Sequence, residues 1–199
     1  MADSDAETIR AVLHGDVERY AELVDRHQGA ALRLAFSFLG DYEDARDVSQ
    51  EAFVSAYQAL GRFRAASKFS TWLYRIVVNE CKDVYKRRAR QPMAASGLGR
   101  PDPEAGAGDG LFVNVADPGA GPGDQLASRE FALALSDEIQ TLPAQQRTAF
   151  LLHHIHGLPL EEAAGVMGCR VGTVKAHVFR ATERLRGRLA RWVNEEGLT

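Results

Sequence analysis

The 199-residue sequence contains only two cysteines and no long apolar run. Cys81 and Cys169 are far apart and lack a Cys-x-x-Cys spacing, which argues against a disulfide framework and against a zinc site. No apolar stretch approaches the ~18 residues of a transmembrane helix, and the acidic segment MADSDAETIR lacks the apolar core of a signal peptide. We therefore expect a protein of the reducing cytoplasm.

The net charge is also small, at −3, but the charge is unevenly distributed. Residues 1–56 contain 5 basic and 12 acidic side chains, whereas residues 57–100 contain 10 basic and 2 acidic ones. Residues 101–130 are again acidic, and residues 170–191 hold seven basic residues and one acid. Local field governs phosphate binding more than net charge does, so two basic islands favour two contacts with a polyanion. The alternative is two solvated helix faces.

Proline and glycine are concentrated in one segment. Residues 91–124 hold five of the seven prolines and eight of the eighteen glycines, so this segment cannot propagate a helix. Elsewhere apolar residues recur every three or four positions, as in the stripe Leu73, Ile76, Val77, Cys81 and Val84, which Ser70 could cap. The sequence predicts an all-α fold with two small helical domains, residues 1–90 and 126–199, joined by a flexible acidic linker over residues 91–125.

The segment from Leu158 to Arg188 has the pattern of a helix-turn-helix. Pro159 suits the first turn of a short helix, and Gly168 supplies the turn. The next helix places valine, alanine and leucine on one face, while cations on the other can reach DNA phosphates. The alternative is a structural helical hairpin. The candidate DNA-binding residues here are Arg170, Gly172, Thr173, Lys175, His177, Arg180 and Arg184.

A second candidate DNA-binding segment, GRFRAASKFSTWLYRIVVNECKDVYKRRAR, interleaves aromatic residues with cations. Unstacked bases need this combination, because aromatic rings stack on them and cations bind the backbone. Core packing is the alternative, and we expect it for Phe63, Phe69 and Tyr74, whereas Trp72 is out of phase with the apolar stripe. The candidate residues are Ala65, Ala66, Ser67, Lys68, Trp72, Arg75, Asn79, Lys82, Lys86 and Arg87.

An acidic helix precedes this segment. DYEDARDVSQEAF places Asp44, Asp47 and Glu51 on one exposed face. These carboxylates are not interleaved with histidine, so a metal site is not expected. The face is either solvated or docks a protein. His153, His154 and His156 also form only a weak zinc pattern, because no fourth ligand is evident.

Taken in this order, the three segments resemble the extracytoplasmic-function (ECF) sigma factors of bacterial RNA polymerase. DARDVSQEAFVSAY is similar to the polymerase-docking helix of region 2, FSTWLYRIVVNECKDVYKRR to the −10-reading part of region 2, and LPAQQRTAFLLHHIHGLPLEEAAGVMGCRVGTVKAHVFRATERLR to region 4. The resemblance covers nearly the whole chain apart from the linker.

The resemblance implies a role for each segment. Asp44, Asp47, Gln50 and Glu51 would dock on the β′ subunit of core polymerase, and region 4 would contact the β subunit. Residues 65–68 with Asn79 would capture a base of the −10 element, and residues 170–184 would read the −35 element. The chain would direct core polymerase to promoter DNA in a stress or envelope response and would have an anti-sigma factor as a partner.

The main alternative is a stand-alone helix-turn-helix regulator, which leaves the acidic helix and the aromatic–basic helix without a role. An enzyme is not expected, because no glycine-rich phosphate loop, no paired carboxylates with histidine and no Ser/His/Asp set stand out in the sequence. We expect neither a cofactor nor a small-molecule substrate.

Overall fold

In the computed structural model, residues 2–64, 67–90 and 122–190 are described. Every regular element in these ranges is helical, which confirms the predicted all-α fold. The helices are α1 (Ala2–Leu13), α2 (Tyr20–Leu39), α3 (Tyr42–Ala59), α4 (Phe69–Arg90), α5 (Pro122–Gln140), α6 (Ala144–Phe150), α7 (Leu160–Met167) and α8 (Val171–Arg188), with 3₁₀ turns at Val17–Arg19 and Leu60–Arg62 and a π-helix at Leu151–Ile155. None of the helices in the described ranges is long and apolar enough to cross a bilayer.

The described residues fall into two compact units, one with α1–α4 and Glu161–Gly168, the other with α5, α6 and α8. In the first unit, α2, α3 and α4 pack on one another around fully buried Leu23, Leu34, Leu73 and Val77. Helix α1 covers one side of this core with its buried apolar residues. In the second unit, α8 packs mainly against α6 and also against α5.

Local chemistry sets the joint between α2 and α3. Gly40 adopts a left-handed conformation with φ of 68°, and its N–H donates to the Phe36 carbonyl at 2.8 Å, which ends α2. Asp41 then caps α3, because its Oδ1 accepts the N–H of Asp44 at 2.9 Å. The two helices therefore turn sharply, and the acidic segment begins at a fixed point.

Three sequence expectations differ from the structure. Helix α4 begins at Phe69, so Ser70 lies inside its first turn and does not cap it. The predicted apolar stripe of α4 included Ile76, which is only half-buried, and left out Val78, which is fully buried. Helix α5 begins at Pro122, ahead of the expected start at residue 126, because a proline is tolerated in a first helical turn. Most of the predicted linker, residues 91–121, lies outside the described residues.

Candidate functional site

Helix α8 presents its cations on two different sides. Val174, Ala181 and Leu185 are buried, and they fix the side of α8 that faces the core. A helix turns 100° per residue. This repeat places four of the predicted DNA-binding side chains on one side of α8, namely Thr173, His177, Arg180 and Arg184, and Lys175 on another. Of these, Thr173, Arg180 and Arg184 are exposed and His177 is half-buried.

The start of α8 is open. Gly168, which joins α7 to α8, has a left-handed φ of 65°, and Arg170 and Gly172 are exposed. A Cβ atom built on Gly172 would meet no heavy atom within 4 Å. Packing therefore does not require a glycine at position 172, and the missing side chain leaves the helix backbone free for close approach by a ligand.

Lys175 lies on the other side of α8, in a groove of about 350 Å³. Phe179 is 66% exposed there, and His153 and His154 of the π-helix line the opposite wall. His153 Nδ1 lies 2.9 Å from the Leu158 carbonyl oxygen, which holds its ring in place. Partial burial, followed by the neighbouring His153, lowers the pKa of His154.

Helix α4 carries a second polar side that runs along most of its length. Arg75, Asn79 and Lys86 are exposed and Lys82 is half-buried. The helical repeat places these four with Trp72, opposite the buried stripe of α4. Arg87 is not part of this side, because it lines a cleft toward α3. Of the six predicted DNA-binding residues in α4, five therefore share one face, and Arg87 does not.

The aromatic side chains near the start of α4 form one cluster. The ring of Trp72 lies 5.3 Å from that of Phe63 and 5.8 Å from that of Phe69, measured between centroids. His27 of α2 packs on the other side of Phe69 at 5.2 Å. Phe69 is buried, as expected, whereas Phe63 and Trp72 are half-buried. Trp72 therefore has both a packed edge and an accessible one.

The loop before α4 is described only in part, since Ala65 and Ala66 lie outside the described residues. Ser67 and Lys68 are exposed. Lys68 Nζ donates to Glu162 Oε1 at 2.7 Å, and Thr71 Oγ1 donates to Glu162 Oε2 at 3.1 Å, all within the first unit. The ammonium of Lys68 is the main reason that the pKa of Glu162 is lowered.

The exposed side of α3 is acidic around one apolar side chain. Asp47, Gln50 and Glu51 are exposed, and Val54, which is 58% exposed, lies among them on the same side of the helix. Sequence reasoning missed Val54, although it falls outside the buried stripe of Ala45, Val48, Ala52 and Ala56. Asp44 lies at the edge of this surface and accepts a hydrogen bond from Arg88 of α4.

No group of three metal-ligating side chains converges anywhere in the described ranges. Each of the three surfaces is instead a polar helix face on a packed core. This arrangement offers charge and stacking for binding and contains no catalytic constellation among the residues described above.

Two family models match the chain: sigma-70 region 2 matches residues 23–91, and sigma-70 region 4 matches residues 132–185. The RNA polymerase sigma-H factor of Pseudomonas aeruginosa is 37% identical over 92% of this chain and 92% of its own length. The ECF RNA polymerase sigma-E factor of Escherichia coli is 34% identical, with 92% of each chain covered. The chain belongs to the ECF sigma factors.

A solved structure is also similar to this chain. CnrH, in complex with the cytosolic domain of CnrY, is 26% identical and superposes with a TM-score of 0.66, over 95% of this chain and 99% of CnrH. Within the sigma factor, region 2 thus includes most of α2 and all of α3 and α4. Region 4 includes part of α5, all of α6 and α7, and most of α8. Sigma factors are DNA-binding initiation factors and not enzymes.

Proposed function

We propose that this ECF sigma factor directs core RNA polymerase to specific promoters and opens the DNA there. The observation that carries the proposal is the presence of three chemically different helix faces in one chain. They are the acidic and apolar face of α3, the aromatic and cationic face of α4, and the cationic side of α8. A stand-alone regulator would need only the last of these faces.

Region 4 would read the −35 element through α8. Its open N-terminal turn at Gly172 and Thr173 suits close approach to base edges in the major groove. Arg180 and Arg184, about two and three turns further along on the same side, suit base or phosphate contacts. Arg170 and His177 flank this stripe. Lys175, which faces the groove instead, would contribute mainly to the electrostatic attraction of DNA.

Region 2 would read and open the −10 element through α4. Trp72 offers a ring edge for a base, and Asn79, two helical turns later on the same side, offers a hydrogen-bonding amide. Arg75, Lys82 and Lys86 line the same side for the backbone of a single strand. Residues 65–68 would complete the pocket for the captured base, as expected from the family.

Region 2 would dock on core polymerase through α3. Exposed Val54 follows Asp47, Gln50 and Glu51 on the same side of α3, and an apolar side chain next to polar ones is typical of protein interfaces. The carboxylates would attract a basic surface of β′. Region 4 would contact the β subunit, as the family resemblance implies.

The remaining partners follow from the same role. With polymerase and promoter DNA as its partners, the sigma factor would act in the cytoplasm. The family resemblance implies a role in a stress or envelope response. The family resemblance implies an anti-sigma factor as a further partner, and we propose that one holds this chain. The structure of CnrH with the cytosolic domain of CnrY bound supports a partner protein of this kind. The linker of residues 91–125 would connect domains 1–90 and 126–199 inside the holoenzyme. No cofactor or small-molecule substrate is part of this function.

The decisive experiment is run-off transcription with core polymerase on a library of genomic promoters, together with an affinity measurement for core. The double variant D47K/E51K should lower the affinity for core at least tenfold, because it reverses two charges of the docking face. D16K/D25K is the matched control, since it also reverses two charges and both residues are exposed and lie outside α3. A specific DNA footprint without polymerase, or no binding to core, would refute the proposal.

A further inference from the structure

The cleft between α3 and α4 joins the proposed docking helix to the proposed DNA-opening helix. It has a volume of about 360 Å³, and buried Val48 and Val84 form its apolar part. Three carboxylates of α3 and two guanidinium groups of α4 line the rest, from Asp44, Asp47, Glu51, Arg87 and Arg88. Arg88 donates to Asp44 Oδ2, and each of the two side chains is 41% exposed.

Asp44 is the better-anchored partner of this pair. It lies in the first turn of α3, where its own N–H is bound by the capping carboxylate of Asp41 at 2.9 Å. The partial positive charge of a helix N-terminus favours a carboxylate at this position. Its backbone is thus fixed, and its charge is favourable without any partner protein.

Arg88, in contrast, lies in the last turn of its helix, α4. The last turn of a helix lacks N–H donors for its final carbonyl groups and is the part that opens most easily. An ion pair with a fixed residue of another helix limits that opening. The same turn follows directly on Lys86, the last residue of the aromatic and cationic face.

We propose that Asp44 is a positioning residue, which holds the end of α4 through Arg88 and does not itself contact polymerase. This inference rests on the proposed function and refines it. Asp47, Gln50 and Glu51 lie around the exposed Val54, whereas the carboxylate of Asp44 is turned to Arg88. Loss of the pair therefore changes how the chain holds opened DNA and leaves its docking on core unchanged.

The test is a double-mutant cycle with Asp44→Asn, Arg88→Gln and the double variant, each assembled with core polymerase. Two quantities are measured, namely the affinity for core and the yield of open complex on a promoter with a fluorescent base in its −10 element. Each single variant should lower the open-complex yield about 2- to 5-fold, as expected for an exposed ion pair. The double variant should give an open-complex yield no lower than that of the more strongly affected single variant. Arg88→Lys should give a higher yield than Arg88→Gln, because lysine keeps the positive charge.

The affinity for core should stay within about twofold of the wild type in all these variants, while D47K/E51K loses it. If D44N lowers the affinity for core as far as D47K/E51K does, Asp44 is a direct docking contact and the inference is wrong. Additive losses, or a higher yield in D44N, would also overturn it, because Arg88 would then act without Asp44. Failure of the wild-type chain to bind core would instead refute the proposed function.

Discussion

Replacement of Trp72 by alanine separates the packing role of the aromatic cluster from a role in DNA opening. Truncation of a fully buried tryptophan costs about 3–5 kcal/mol of folding stability. The ring of Trp72 is only half-buried, in contact with Phe63 and Phe69, so we expect a loss of about 2 kcal/mol. A domain with a stability of about 5–15 kcal/mol remains folded after such a loss.

Tyr74→Ala is the matched control for this substitution. Tyr74 is a half-buried aromatic residue in the same turn of α4 but on a different side, and burial raises the pKa of its phenol. Its removal should cost a similar amount of folding stability. Only Trp72 shares a face with Arg75 and Asn79. A base stacked on an aromatic side chain contributes about 1–3 kcal/mol, so Trp72→Ala should open DNA roughly 5- to 150-fold less well than Tyr74→Ala.

The assay follows a fluorescent base in the −10 element after the holoenzyme is mixed with promoter DNA. Thermal unfolding of each variant gives its stability, and the affinity for core polymerase checks that docking is intact. Equal loss of strand opening in Trp72→Ala and Tyr74→Ala would show that Trp72 only supports the fold. Loss of affinity for core in Trp72→Ala alone would also contradict the division of roles between α3 and α4.

Three further outcomes can be measured. Burial, with a smaller contribution from Tyr57, raises the pKa of Tyr20 from 10.0 to about 12. The neutral phenol therefore stabilises the fold below pH 10, and this contribution is lost as the pH rises from 10 toward 12. An absorbance titration should show a late tyrosinate component that Tyr20→Phe removes. Gly168→Ala should destabilise the turn before α8 by about 1–2 kcal/mol, because alanine disfavours a φ of 65°, and an unchanged melting temperature would contradict this. Arg180→Ala should weaken promoter binding by about 1–3 kcal/mol and Lys175→Ala by less, as measured by open-complex yield at several salt concentrations; no change in either variant would refute the assignment of α8.

Local patterns were enough to predict the helices and most of the side chains that share an exposed face. The spacing of Val174, Ala181 and Leu185 fixes the buried side of α8, and the recurring apolar residues of α3 do the same for that helix. The family assignment was also predicted from sequence, because three segments with distinct chemistry follow one another in order. Helix starts were less predictable, since Phe69 extends α4 backward past Ser70 when it is buried in the core.

Contacts between distant segments could not be read from the sequence. Nothing near Asp44 in the chain indicates that Arg88 would be its partner, 44 residues later. The separation of Lys175 from Arg180 was also missed, because cations at these positions look alike until the buried side of α8 is located accurately. Both results depend on which elements pack together, and packing is decided by the whole core.

The two sides of α8 have a consequence for how such a protein can change during evolution. Residues 173, 177, 180 and 184 belong to one side, and residues 175, 179, 182 and 186 belong to the side of the groove. Because the two sets alternate along one helix, a substitution in one set need not disturb the other. The residues proposed to read DNA can then change while those that line the groove stay constant, although both sets lie on the same 18-residue helix.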